Sequence, residues 1–347
     1  MIDLPFWDIF KEKDVDRASR EHREATVAAL EAGDIPPYAR RRIESQVASG
    51  SKFFSSTFSA KEYLLAREGR YLPISQVMGS AFIKMAWSPA PDEEIPSFVN
   101  TGELTSLTLA HEQACDLALE RLQKEAALLG ADGVIGVLVK RAEVAWAENV
   151  TEFTAVGTAV RIPGCVKPVN KQSRALPFTS TLSGQEFWQL YESGYWPAGI
   201  VMGNSSYYVR GHCRTNSLID TYGSINQELS YFSDGFSRAR ELAVGRLTSD
   251  IVELGAEGAV DMDVSHSIRL CRSERDEMKT LDILITFVLL GTAVLRRPDG
   301  KARAMPTTKM VIDLSKSGIK NIDFDAPIDE LAGGRGSEGF ADDEALE

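Results

Sequence analysis

The stretch that decides the fold is Ala114–Gly136, ACDLALERLQKEAALLGADGVIG, because it returns as Ala239–Asp261, ARELAVGRLTSDIVELGAEGAVD. Leading into the first stretch and through it, Leu107, Ala110, Ala114, Leu117, Ala118, Leu122 and Leu129 recur at spacings near three and four, with a seven-residue gap before Leu129. Phe232, Phe236, Ala239, Leu242, Ala243, Leu247 and Leu254 do the same for the second. Such spacing puts one apolar stripe along an amphipathic helix. Gly130 and Gly255 supply the left-handed residue that stops each helix. Two strands then close each unit, Val134–Val139 with Phe153–Val160, and Ala259–Val264 with Ile283–Val294.

Working outward, FSAKEYLLAREGRYLPISQVMG (Phe58–Gly79) aligns with LSGQEFWQLYESGYWPAGIVMG (Leu182–Gly203). VGTAV (Val156–Val160) aligns with LGTAV (Leu290–Val294). The register shifts by one residue between the first two blocks and by nine before the last, so the second copy carries an insertion in its final hairpin. Ser59-x-x-Glu62 and Ser183-x-x-Glu186 are capping boxes that open a short helix. Gly69 and Gly194 end it, and short strands at Gln76–Met78 and Ile200–Met202 follow, stopped by Gly79 and Gly203. The expected fold class is α+β: two tandem units, each a short helix, a strand, a long helix and an antiparallel strand hairpin.

The run LGADGVIGV between helix and strand, the closing VGTAV and the preceding strand ending in VMG resemble the bacterial YbjQ-like family, described as heavy-metal-binding. The resemblance covers Phe53 to Arg161 and Phe178 to Arg296, most of the chain. It implies a dodecin-like α+β fold and ring-shaped homo-oligomers, typically pentamers. A chain with two copies departs from that pattern, because a single five-unit ring cannot be built from whole chains. Five chains would make two stacked rings, or the closure number would change.

The expected boundaries are a helical extension over 1–50, the repeats over 51–165 and 175–298, a C-terminal extension over 299–330 and an acidic tail over 331–347. Gly33 ends a first helix from Asp14, Pro36 and Pro37 start a second, and Lys309–Leu314 reads as a strand before a disordered tail. Phe6, Trp7 and Phe10 form an apolar patch, expected to dock on the protein's own surface or to bind a protein partner. The net charge of -12 argues against nucleic acid and anionic membrane as partners. Leu281–Leu295 is too short for a membrane helix and reads as strand, and the acidic start does not resemble a signal peptide. Four cysteines without a secretory signal suggest reduced thiols, and the protein is expected in the cytoplasm.

No residue pattern stands out as catalytic, and the chain is expected not to be an enzyme and to need no cofactor. There is no GxSxG, and Gly130, Gly133 and Gly136 follow a helix into a strand, the reverse of a phosphate loop. His111 and Cys115 stand one helical turn apart and are the candidate metal ligands; read structurally, they are a surface imidazole and a partly buried thiol. Asp261 and Asp263 alternate along one strand and so share a face, as paired acids or as edge polarity. Arg121 and Arg246 hold the same place in both long helices and are expected to meet an acid across an interface or, less simply, a small anion. The favoured function is a non-enzymatic assembly or scaffold protein forming rings. The alternative is a heavy-metal or small-ligand binding protein.

Overall fold

A computed structural model describes residues 6–50, 55–69, 71–85, 100–143, 150–164, 176–211, 228–275 and 278–297. They belong to one unit, residues 1–302, and the second unit, residues 303–347, lies outside them together with the expected strand at Lys309–Leu314 and the tail. The fold is α+β, with six helices and two four-stranded sheets among the described residues.

The N-terminal extension forms helices α1 (Phe6–Glu31) and α2 (Pro37–Ala48), with Gly33 at φ 69° between them. Helix α3 (Ala60–Glu68) opens on Ser59 and α5 (Gly184–Glu192) on Ser183, both as reciprocal capping boxes. The first sheet holds β1 (Leu72–Lys84), β3 (Gly133–Glu143), β4 (Val150–Arg161) and β5 (Phe178–Thr179) in the order β1-β4-β3-β5. The second holds β2 (Gly102–Glu103), β6 (Tyr195–Val209), β7 (Gly258–Arg275) and β8 (Met278–Arg296) in the order β2-β6-β8-β7. The long helices are α4 (Thr105–Leu128) and α6 (Ser230–Leu254), ended by Gly130 at φ 64° and Gly255 at φ 67°.

β1 and β6 do not stop at Gly79 and Gly203; they run on to Lys84 and Val209. The glycines have another physical reason. A Cβ on Gly79 would lie 2.0 Å from the Ala118 carbonyl oxygen, and one on Gly203 would lie 2.1 Å from that of Ala243. Each marks the point where the long helix crosses its sheet backbone against backbone. The insertion in the second hairpin lengthens both its strands, to 18 and 19 residues against 11 and 12 in the first half.

Helix α4 occupies the middle of the molecule. Ala114, Ala118, Leu122 and Ala126 pack with Val77, Ala81 and Ala155 of the first sheet, and Met202 and Leu290 of the second sheet join the same apolar cluster. Helix α6 packs with Val201, Val209, Ile285 and Ala293 of the second sheet alone. A third cluster, Tyr71, Phe178, Phe187 and Trp196, fastens α3 and α5 across the halves, with the Tyr71 hydroxyl donating to the Gly184 carbonyl at 2.8 Å.

Candidate functional site

The most elaborated place in the molecule is the joint between its halves. Just before α5, Phe178–Leu182 of the second half runs along the outer edge of β3. The Phe178 amide donates to the Asp132 carbonyl at 3.2 Å and that of Ser180 to the Val134 carbonyl at 2.9 Å. In return the Gly136 and Val137 amides donate to the carbonyls of Leu182 and Ser180 at 2.8 and 2.9 Å. The pairing is parallel, Gly133 against Phe178 and Val134 against Thr179. A Cβ on Gly133 would meet the Phe178 ring at 2.1 Å, so glycine is what admits that ring. Gly136 sits at φ 62° in a β-bulge that breaks the β3–β4 register.

The first half repays the addition. Its β2 pairs with Tyr207 and Tyr208 on β6, and the Leu104 amide donates to the Ser206 carbonyl at 2.8 Å. Each half thus adds a short strand to the other's sheet, and β7 is left as an edge among the described residues. Main-chain pairing of this kind gives strength, while the side chains set the register.

Arg246 belongs to the joint. Its Nη1 donates to the Asn204 carbonyl at 3.1 Å and lies 2.8 Å from Glu103 on β2, an acid of the other half. Its counterpart Arg121 meets no acid among the described residues: Nη1 donates to the Ser80 carbonyl at 2.6 Å, Nη2 to the Leu30 carbonyl of α1 at 3.0 Å, and buried Nε has no partner among them. The Leu30 carbonyl therefore stands where Glu103 stands in the second half. One turn along each helix an acid accepts the amide of a VMG methionine: Glu125 from Met78 at 3.1 Å and Asp250 from Met202 at 3.4 Å. Each arginine–acid pair satisfies one strand carbonyl and one strand amide on the edges of β1 and β6. Burial raises the pKa of Glu125 against the pull of the Met78 amide and Arg42, which approaches it at 3.4 Å.

A cleft of about 710 Å³ opens beside the joint, lined by Asp116, Glu120 and Gln123 of α4, Phe178, Trp196 and Glu253 among others. Burial, and then the neighbouring charges of Glu112, Asp250 and Glu120, push Asp116 up to about 6. Asp250 is raised as well, by burial and then by Glu112 and Glu253 against the Met202 amide. The cleft disfavours anions.

The other expected residues lie apart. His111 is buried, 5% exposed, rather than on the surface, because α4 is covered by sheets on both sides. Its Nδ1 has no partner, and burial, with Arg141 and Arg269 nearby, depresses its pKa to about 4. Cys115 is fully buried and its thiol pushed up to about 12, by burial and then by Asp116. A heavy-metal ion needs about four thiolate or imidazole donors. Among the described residues no three His, Cys, Asp or Glu side chains converge on one point, and the Cys115 thiol resists ionisation, so this pair does not fit one. Asp261 and Asp263 straddle a β-bulge in the edge strand β7, where Asp261 takes φ 54° and simple alternation of faces no longer holds. Phe6, Trp7 and Phe10 fall within α1, and their side chains lie outside the described set. No helix among the described residues is long and apolar enough to cross a membrane.

Sequence reasoning missed the strand addition. Its signal was present in the residues just upstream of the first aligned block, where FSSTF (Phe54–Phe58) matches FTSTL (Phe178–Leu182).

A family model described as "Putative heavy-metal-binding" matches residues 77–163, which span β1, α4, β3 and β4. An encapsulin nanocompartment protein of Mycobacterium tuberculosis is 32% identical over 236 residues, 67% of this chain and 83% of the relative.

Proposed function

The chain belongs to the YbjQ-like family, and from there we propose that it is a non-enzymatic assembly protein, two dodecin-like YbjQ units in tandem that build a ring of identical chains. The observation that supports this reading is the joint itself. It is heterologous: the surface that receives Phe178–Leu182 on β3 differs from the surface that supplies it. A joint of that kind can be repeated from one unit to the next and closes into a ring when the rotation allows. With two units per chain, any ring closed through this joint holds an even number of units.

The relative's description as an encapsulin nanocompartment protein supports a setting for such an assembly. In this reading the chain works in or alongside a protein nanocompartment, and its role is to bind and organise. Light scattering on the full chain after size-exclusion chromatography tests it, with elemental analysis on the same peak. A mass several times 38.1 kDa without stoichiometric metal is expected. A single-chain mass across micromolar concentrations, or one metal per chain, would overturn it.

A further inference from the structure

We propose that the edge of β7 over Gly258–Met262 is the docking site for the Phe54–Phe58 segment of a second copy of this chain. The proposal rests on the self-association reading and names its surfaces. β7 carries the same device as β3. Its register against β8 slips between Val260 and Asp263, as that of β3 against β4 slips between Ile135 and Leu138. Asp261 holds φ 54° where Gly136 holds 62°. A non-glycine residue pays for that conformation, so the bulge is built into the edge rather than incidental to a flexible residue. Asp261 and Met262 hold the positions in this slip that Gly136 and Val137 hold in the first, the two donors to the added segment there.

Gly258 is the sharper clue. It stands where Gly133 stands, yet a Cβ on Gly133 would collide with the Phe178 ring, while a Cβ on Gly258 meets nothing within 4 Å. Among the described residues, the second half has the same gap in its strand with no ring in it. Phe54 is the sequence counterpart of Phe178. Val260 and Met262 are exposed along this edge, at 36% and 37%, interleaved with exposed Asp261 and Asp263. An unpaired strand edge offers main-chain donors and acceptors to an incoming strand.

Residues 56–58 of the supplying segment are held as their counterparts in the second half are. The Thr57 amide donates to Thr158 Oγ1 at 3.0 Å, as that of Thr181 donates to Thr292 Oγ1 at 2.8 Å. The Phe58 amide donates to Ser56 Oγ at 3.1 Å, as that of Leu182 donates to Ser180 Oγ at 3.2 Å. Residues 56–58 are therefore seated on their own sheet as 180–182 are on theirs, and the ordering cost of docking is largely met before a partner arrives.

Two changes to the full chain test this. Gly258→Phe puts a ring in the gap from a position whose Cβ meets no described residue within 4 Å, so the chain should keep its circular dichroism while the multimer falls to single-chain mass. Ser55→Cys with Ala259→Cys places thiols at the counterparts of the paired Thr179 and Val134. Mild oxidation should then give a covalent multimer, absent from either single variant. A G258F protein that keeps the wild-type mass, or a double-cysteine protein that is multimeric without cross-linking, overturns the edge assignment and leaves self-association standing. A wild-type chain that stays single overturns both. Should G258F fail to fold, the cross-link decides.

Discussion

Gly79→Ala tests the packing on which the joint depends. The added methyl would sit 2.0 Å from the Ala118 carbonyl oxygen and 2.6 Å from the Leu122 nitrogen, where ordinary contact begins near 3.4 Å. Both atoms are helix backbone, so no rotamer change relieves the clash, and α4 must move by about 1.4 Å. It cannot back away freely, since Met202 and Leu290 close its cluster from the second sheet. Moving it also stretches the hydrogen bonds of Glu125 to Met78 and of Arg121 to Ser80. Overpacking costs about 1–3 kcal/mol, and weakening two bonds to charged groups adds about 1–2 kcal/mol. The expected loss is about 2–5 kcal/mol, a fall in melting temperature of roughly 4–20 °C for a protein of this size. Gly245→Ala on α6 is the control, expected to lose no stability because its methyl meets nothing within 4 Å among the described residues and alanine is favoured inside a helix. Urea denaturation of the two variants in parallel gives the measurement. A Gly79→Ala protein within about 1 kcal/mol of wild type would mean that α4 does not cross β1 at this glycine, and the layered core would be wrong.

Acid should weaken the fold through His111. Its pKa in the fold lies below that of the unfolded chain, so its contribution is present above pH 6.5 and is lost as the pH falls toward about 4. The loss is on the order of 3 kcal/mol, and His111→Gln should remove this part of the slope in denaturation midpoints taken from pH 8 to 4. Arg246→Met leaves Glu103 and the Asn204 carbonyl without their partner and should cost about 2 kcal/mol; an unchanged midpoint would deny that the ion pair holds the halves. Cys115 and Cys271 are buried, with thiols at about 12 and about 11, so native protein at pH 8 should leave both unalkylated by iodoacetamide while denatured protein reacts fully, as peptide mass mapping would read.

Element types and order were legible wherever periodicity was long. The stripe from Leu107 to Leu129 becomes α4, and the capping boxes at Ser59 and Ser183 open their helices as read. What failed had tertiary causes. A glycine in a strand reads as a stop, but nothing local says that a helix crosses at Gly79 and Gly203. The β-bulge at Asp261 spoiled a face assignment that needed unbroken alternation. His111 looked like a surface residue because the helix stripe was read against one sheet, and the second sheet on the other side of α4 leaves no trace in a single helix's periodicity. The matched arginines were visible, but whether each meets a carboxylate or a carbonyl depends on chain that arrives from elsewhere, Glu103 for one and Leu30 for the other.

The shared central helix has a consequence for inheritance and for engineering. A gene cut between Gly164 and Leu176 would look like a clean separation of two modules. The first product would lose the strand that lines β3 and the residues that cover one flank of α4; the second would lose the strand that pairs with β6. Each would expose apolar surface and unpaired main chain that the other now covers. The two halves are parts of one object. Selection, or a designer, can change them together more readily than it can trade one of them away.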